Sequence, residues 1–346
     1  MAPGLMNPFI KFPSGVDAVG GWVELARTTL GSAGDTITVS SLADKRYYMV
    51  LGHHLPSGNF RTTYSINNDS GSNYALRKSE DGGAENVTVN QTVMKVGNKD
   101  EATDYFDVSY IANLSSLEKL LINHNMRNNG TGAGNAPSRV EAYPKWVNTS
   151  SVLNRIDALN DQGGDYATGS QVVVLGWDPA DTHTTNFWEE LDTDTGSSID
   201  LSFTGKKYMW LQFYLKATGG TLNPRMRVGN TTVDTGSTIA QRASSNGATD
   251  ATSVNQTFLD ILGITLQSGE SHFGNYFIVN NASNEKLFIG HTVSNNGSGQ
   301  AIAPDRFQYV GKWANAVDLM DVLQITKSSG TGTQDTTSFA KIWGSN

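Results

Sequence analysis

Cysteine is absent from the 346 residues. That excludes disulfides, thiolate-ligated zinc and thiol nucleophiles, so stability has to come from packing or assembly. Charge is scarce as well, Asp, Glu, Lys and Arg together making up 17% of the chain. With a net charge of −8 and no cluster of Lys and Arg able to neutralise several phosphates, the composition argues against a nucleic-acid partner. No segment approaches the ~20 consecutive apolar residues of a spanning helix, so membrane insertion is not expected. The opening MAPGLMNPFIKFPSGVDAVGG has neither a charged n-region nor a continuous apolar h-region, which leads to the expectation of no Sec export. Its Pro and Gly residues make residues 1–21 read as an extended N-terminal arm. Helical periodicity is missing over any three turns; NLSSLEKLL near Leu117 and TFLDILGI near Leu259 hold it for about one.

Short runs rich in Val, Ile, Thr, Tyr and Trp take the place of helices. WVELAR, TITVSS, YYMVLG, NYALRK, YFDVSYIAN, KLLINH, RVEAYPKW and QVVVLGW are separated by Gly, Asn, Asp and Ser, the spacing of an all-β sandwich. In YFDVSYIAN, alternation assigns Phe106, Val108 and Tyr110 to a dry face and Asp107, Ser109 and Ile111 to a mostly wet one.

The chain also repeats itself. EKLLINHNMRNNGTGAGNAPSR, beginning at Glu118, returns 167 residues later as EKLFIGHTVSNNGSGQAIAPDR, beginning at Glu285. Residues 113–148 and 280–315 align without a gap, with 17 identities in 36 positions. VNQT recurs at Val89 and Val254. Six of the seven tryptophans fall at similar offsets: Trp22 with Trp188, Trp146 with Trp313, and Trp177 with Trp343. The fold class expected is all-β, a tandem duplication of two jelly-roll-like β-sandwich domains. Repeat 1 spans 22–177, a linker 178–187 and repeat 2 188–346. Asn-Gly at Asn129 and Asn296 marks a tight reversal in each copy.

Catalytic signatures are lacking. There is no GxSxG elbow and no GxxxxGK[ST] loop. Of the six histidines only His124 and His291 hold equivalent places, with no recurring ligand partner at metal spacing. Glu118 and Glu285, each beside a Lys at a strand start, read as surface pairs. No catalytic residue, metal or cofactor is therefore expected. The loop NNDSGSNY is the one stretch singled out as a glycan- or partner-contacting surface, through Asn67, Asn68, Asp69, Asn73 and Tyr74. Turn chemistry and a calcium site are the other readings of the same oxygens.

GGWVELARTTLGSAGDTITVSSL with KRYYMVLG, NNDSGSNYALRKSEDGG, the EKL strand with its Asn-Gly turn, APSR/APDR, KW(V/A)N and GSQVVVLGWD resemble a module of virion proteins in tailed bacterial and archaeal viruses, marine ones in particular. The resemblance implies a non-enzymatic virion structural protein: a capsid decoration, a spike or turret component, or part of a tail fibre. It further implies assembly in the host cytoplasm, partners among other virion proteins of capsid or tail, self-association as a homo-oligomer, and contact with host surface glycans. Two alternatives stand beside it, a double-jelly-roll major capsid protein and a carbohydrate-binding host-recognition module.

Overall fold

The computed structural model describes residues 21–97, 101–179, 181, 185–263, 265–297 and 299–346. The arm at residues 1–21 lies outside them, except for Gly21. Among the described residues there is no helix, and every strand pairing is antiparallel. The chain forms two compact units. One comprises Met1–Glu80, Ala84–Asn125 and Val140–Phe187; the other comprises Asp81–Gly83, Met126–Arg139 and Trp188–Asn346.

Unit 1 is built on an eight-stranded sheet. Its order is Val23–Thr29, Gln171–Trp177, Tyr47–His54, Tyr105–Ala112, Lys119–Arg127, Ser138–Trp146, Tyr74–Glu80 and Asn86–Gln91. Thr36–Ser40, Arg155–Asn160 and Thr62–Ile66 form a three-stranded sheet. Ile37, Val39, Ile66, Ile156 and Ala158 from the small sheet share one core with Tyr48, Val50, Ile111, Val140, Val172 and Val174 from the large one. The class is a β-sandwich with sheets of unequal width.

Unit 2 repeats this order. Its large sheet runs Glu189–Thr195, Phe339–Ser345, Tyr208–Thr218, Ser271–Val279, Lys286–Ser294, Asp305–Trp313, Ile239–Ser245 and Ala251–Gln256. Ile199–Ser202, Val322–Ser329, Asn223–Asn230, Thr232–Val233 and Leu259–Asp260 build the smaller sheet, and Thr333–Gln334 joins the large one as a ninth strand beside Tyr208–Thr218. Register agrees as well as order. Trp146 lies opposite Tyr74 and Val140 opposite Glu80, while Trp313 lies opposite Ile239 and Phe307 opposite Ser245. A bulge falls between Glu24 and Ala26 in one first strand and between Glu190 and Asp192 in the other.

Two sequence expectations are corrected by this register. Trp177 and Trp343 are not equivalent: Gly176 pairs with Val23 and Gly344 with Glu189, so Trp343 occupies the place of Leu175. A cross-strand Met49–Leu175 pair in unit 1 becomes Trp210–Trp343 in unit 2. A two-residue slip keeps both tryptophans on the same face, which is why spacing alone could not detect it. In Tyr105–Ala112, moreover, the face turned toward the small sheet is the one carrying Asp107, Ser109 and Ile111. Both faces are buried, Asp107 at 0% and Phe106 at 1% exposure, so neither is wet.

The interior of the two sandwiches is filled by opposite choices at matching places. Gly52 faces Asp107 across the ladder in unit 1, and Phe213 faces Gly274 in unit 2. Asn123 is likewise answered by Gly290, whose missing side chain leaves room for the Tyr276 ring. A Cβ at Gly290 would sit 2.2 Å from that ring. Gly290→Ala is therefore expected to lower stability by about 1–3 kcal/mol through overpacking, read as a fall in chemical-denaturation midpoint; an unchanged midpoint would show that the ring is free to move.

Candidate functional site

The residues at 67–74 follow Thr62–Ile66, where the chain turns toward Tyr74–Glu80. Asn67 and Asn68 both have φ of 54°, a left-handed conformation that Asn tolerates and most residues do not. Asn67 turns inward: its Oδ1 accepts from the backbone N–H of Asn154 (2.9 Å) and Arg155 (3.1 Å), and its amide donates to Val152 O (2.8 Å). Asp69 accepts from Gly71 N–H (2.9 Å), from the Asn73 amide (3.0 Å) and from the Trp146 indole N–H (2.7 Å). Tyr74 is 1% exposed, and its hydroxyl donates to Ile66 O and accepts from Ile66 N–H. Of the five predicted residues only Asn68 and Asn73 are exposed. Three of the five predicted contact residues thus fasten the loop to the sandwich, and Tyr74 is core.

Lys119 completes this fastening. Its ammonium donates to Leu117 O (2.9 Å) and Asn148 O (2.8 Å) and stands 5.7 Å from the centre of the Trp146 ring. Unit 2 rebuilds the same device from a loop of different sequence. Trp313 donates to Asp234 (2.8 Å), Asp234 accepts from Gly236 N–H (2.8 Å) and the Thr238 hydroxyl (2.9 Å), and Lys286 bonds Asn284 O and Asn315 O while lying 5.6 Å from the Trp313 ring. Sequence reasoning gave Asp69 to a contact surface and missed Asp234. The available signal was Asp-Ser-Gly at Asp69 answering Asp-Thr-Gly at Asp234, two short turns within loops that otherwise do not align.

Burial raises the Asp69 carboxyl, but the bonds from Trp146, Asn73 and Gly71 outweigh it and leave the group below the ordinary carboxylate value. Asp234 is lowered in the same way, burial being overcome by Trp313, Gly236 and Thr238. Lys286 is pushed down to about 8, chiefly by burial, against the attraction of Asp318 and Glu285.

A dense polar cluster lies inside unit 1. Asp107 accepts from the Tyr64 hydroxyl (3.0 Å) and the Asn123 amide (3.0 Å), and His54 Nε2 stands 3.4 Å from it. Asn123 also donates to Ser109 Oγ (2.8 Å), and Asn125 donates to Asn123 Oδ1 (2.7 Å). Burial raises Asp107 above the usual carboxylate range despite these partners. Tyr64 is raised too, by burial first and then by the Asp107 charge. A cavity of about 10 Å³, lined by Tyr64, Ser109 and Asn123 among apolar neighbours, has room for one water. In unit 2 the places of Asp107 and Asn123 are taken by Gly274 and Gly290, and aromatic rings fill the space. Within this enclosed set Asp107, Tyr64 and Asn123 satisfy one another, whereas neither ring nitrogen of His54 nor the Oδ1 of Asn125 has a hydrogen-bond partner among the described residues.

Glu118 and Glu285 diverge in environment. Glu118 does form a surface pair, with Lys145 (2.8 Å, side chains 36% and 42% exposed) rather than with the adjacent Lys119. Glu285, by contrast, is 7% exposed beside a fully buried Lys312, 3.2 Å away, so the expectation of a surface pair fails there.

No family model and no curated protein matches the chain. Among solved structures, the LG4-5 domains of mouse laminin alpha1 chain align over 92% of this chain and 94% of that one, at 11% identity and a TM-score of 0.18. A human GIVD cytosolic phospholipase A2 aligns over 80% and 33% at 8% identity and a TM-score of 0.11. Both scores are too low to carry fold or function across.

Because Asp69 and Asp234 titrate below their unfolded value, 3.8, the stability they contribute is complete above that value and is lost as pH falls through the lowered folded one. Tryptophan emission and melting temperature followed from neutral pH down to about pH 2 should show this acid loss, reduced in Asp69→Ala. At neutral pH that variant should be less stable by roughly 2 kcal/mol, through the unpaired indole N–H. Equal acid profiles would remove the role assigned to the carboxylate.

Proposed function

We propose that the chain is a non-enzymatic structural protein of a virion surface, serving as a capsid decoration, a spike or turret component or a tail-fibre component. The observation that carries the reading is how its chemically capable side chains are employed. Asp69, Asp234, Lys119 and Lys286 hold loops and indoles in place, and Asp107, His54 and Tyr64 are enclosed between sheets. A sandwich so fastened suits a rigid surface-bearing block. The resemblance of GGWVELARTTLGSAGDTITVSSL and the EKL turn to virion modules supports the same conclusion, as does a weakly charged chain that needs no disulfide.

The carbohydrate-recognition reading loses its anchor with Tyr74 in the core, since sugar sites use exposed aromatic faces. The test is proteomics of purified virus particles with electron microscopy of particles labelled by an antibody to this chain. Label on sparse projections or a lattice over the shell is expected. A label restricted to infected-cell lysate would remove the proposal, and a shell composed wholly of this chain would make it the capsid itself.

A further inference from the structure

Unit 2 contains an occupied docking surface whose counterpart in unit 1 is exposed. Met126–Arg139 carries the Asn-Gly turn of the repeated motif and belongs to unit 2. There Lys312 Nζ donates to Asn128 Oδ1 (2.6 Å) and Gly130 O (2.5 Å). Glu285 accepts from Gly132 N–H (2.6 Å), and Asn255 N–H donates to Ala133 O (2.8 Å). Arg242 donates to Pro137 O (2.8 Å), while Arg139 meets Asp250 (2.7 Å). On the same sheet Leu287 and Ile289 are 0% and 3% exposed.

Every receiving residue has an equivalent in unit 1. The register places Lys145 with Lys312, Glu118 with Glu285, Asn90 with Asn255, Arg77 with Arg242 and Glu85 with Asp250. These equivalents lie open: Lys145 and Glu118 as above, Arg77 and Glu85 at 55% and 59%, and the apolar Leu120 and Ile122 at 58% and 44%, where Leu287 and Ile289 are buried.

The inserting turn is duplicated too. Asn129, Gly130 and Gly132 have φ of 59°, 101° and 82°; Asn296, Gly297 and Gly299 have 45°, 108° and 97°. Arg139 N–H donates to Asp81 and Arg306 N–H to Asn246, so both turns leave their strands alike. In the second copy Asn295, Gly299, Pro304 and Arg306 are exposed.

We propose that copies of this chain associate head to tail, the turn residues 295–297 and 299–306 of one copy seating on the Lys145–Glu118 surface of the next. Lys145 takes the carbonyls of Asn295 and Gly297, Glu118 takes the N–H of Gly299, and Arg306 meets Glu85, which exchanges its partner Arg77 for it. Leu120 and Ile122 become covered as Leu287 and Ile289 are. Such a contact joins two different patches, so it propagates into a ring or a filament. The proposal needs no virion: particle labelling tests that reading, and solution mass tests this one.

Sedimentation of the purified full-length chain over about 1–100 µM should show assemblies of the 37.3 kDa chain. Lys145→Ala should weaken them about thirtyfold or more. Arg306→Glu and Glu85→Arg should each give monomer, and the two combined in one chain should restore assembly. Hydrogen exchange on the unmodified chain, dilute against concentrated, should show concentration-dependent protection at residues 118–122 and 295–306, a readout free of any folding defect in a variant. A monomer throughout the range, assembly unaffected by the single substitutions, no restoration in the combined variant, or protection elsewhere would each overturn the proposal.

Discussion

The wide sheet of each unit, eight-stranded in unit 1 and nine-stranded in unit 2, has more face than the three- or five-stranded sheet opposite it can cover, and this inequality governs the molecule. In each unit the small sheet seals one core, and the strands beyond its reach need another cover. The strand Lys286–Ser294 is buried at seven of nine positions, whereas Lys119–Arg127 alternates buried and exposed through its first half. The same main strand order therefore coexists with different surroundings. Apolar face left over in this way is available for association, since buried apolar area is the main driving term for it.

Where the margins of the sheets need holding, the chain spends polar groups on it. The carboxylate–indole bond with a lysine above the ring pins the loop preceding the Tyr74 strand in one unit and the loop preceding the Ile239 strand in the other. Without cysteine, such bonds substitute for cross-links in tying loops separated by many residues to a common strand. They are also reversible, as a disulfide outside the cell is not.

Much of the fold was legible in the sequence, and the failures have physical causes. All eight runs identified in the first half are strands, because β-branched and aromatic residues bounded by Gly and Asn leave little else to form. Thr62–Ile66 and Arg155–Asn160 went unread: TTYSI and RIDALN carry polar residues at positions that turn out to be buried. The Asp107 strand misled for a related reason, since polarity was taken to mean water when Tyr64 and Asn123 supply its partners. Tyr74 was assigned to recognition because Asn-rich loops and tyrosine suit it, but its hydroxyl closes its own turn. The 17 identities of the repeated motif read as one hairpin used twice; that Glu285 would be covered and Glu118 open depends on packing that no local pattern encodes.

The first strand of each unit lies beside its last. Val23–Thr29 pairs with Gln171–Trp177, and Glu189–Thr195 with Phe339–Ser345. On the ribosome neither sandwich can close until its final seven residues emerge, so both mature late and slowly, as contacts so distant in sequence require. The same closure brings the beginning and end of a unit to one edge, where a short connector is enough to lead the chain out of one closed sheet and into the start of another.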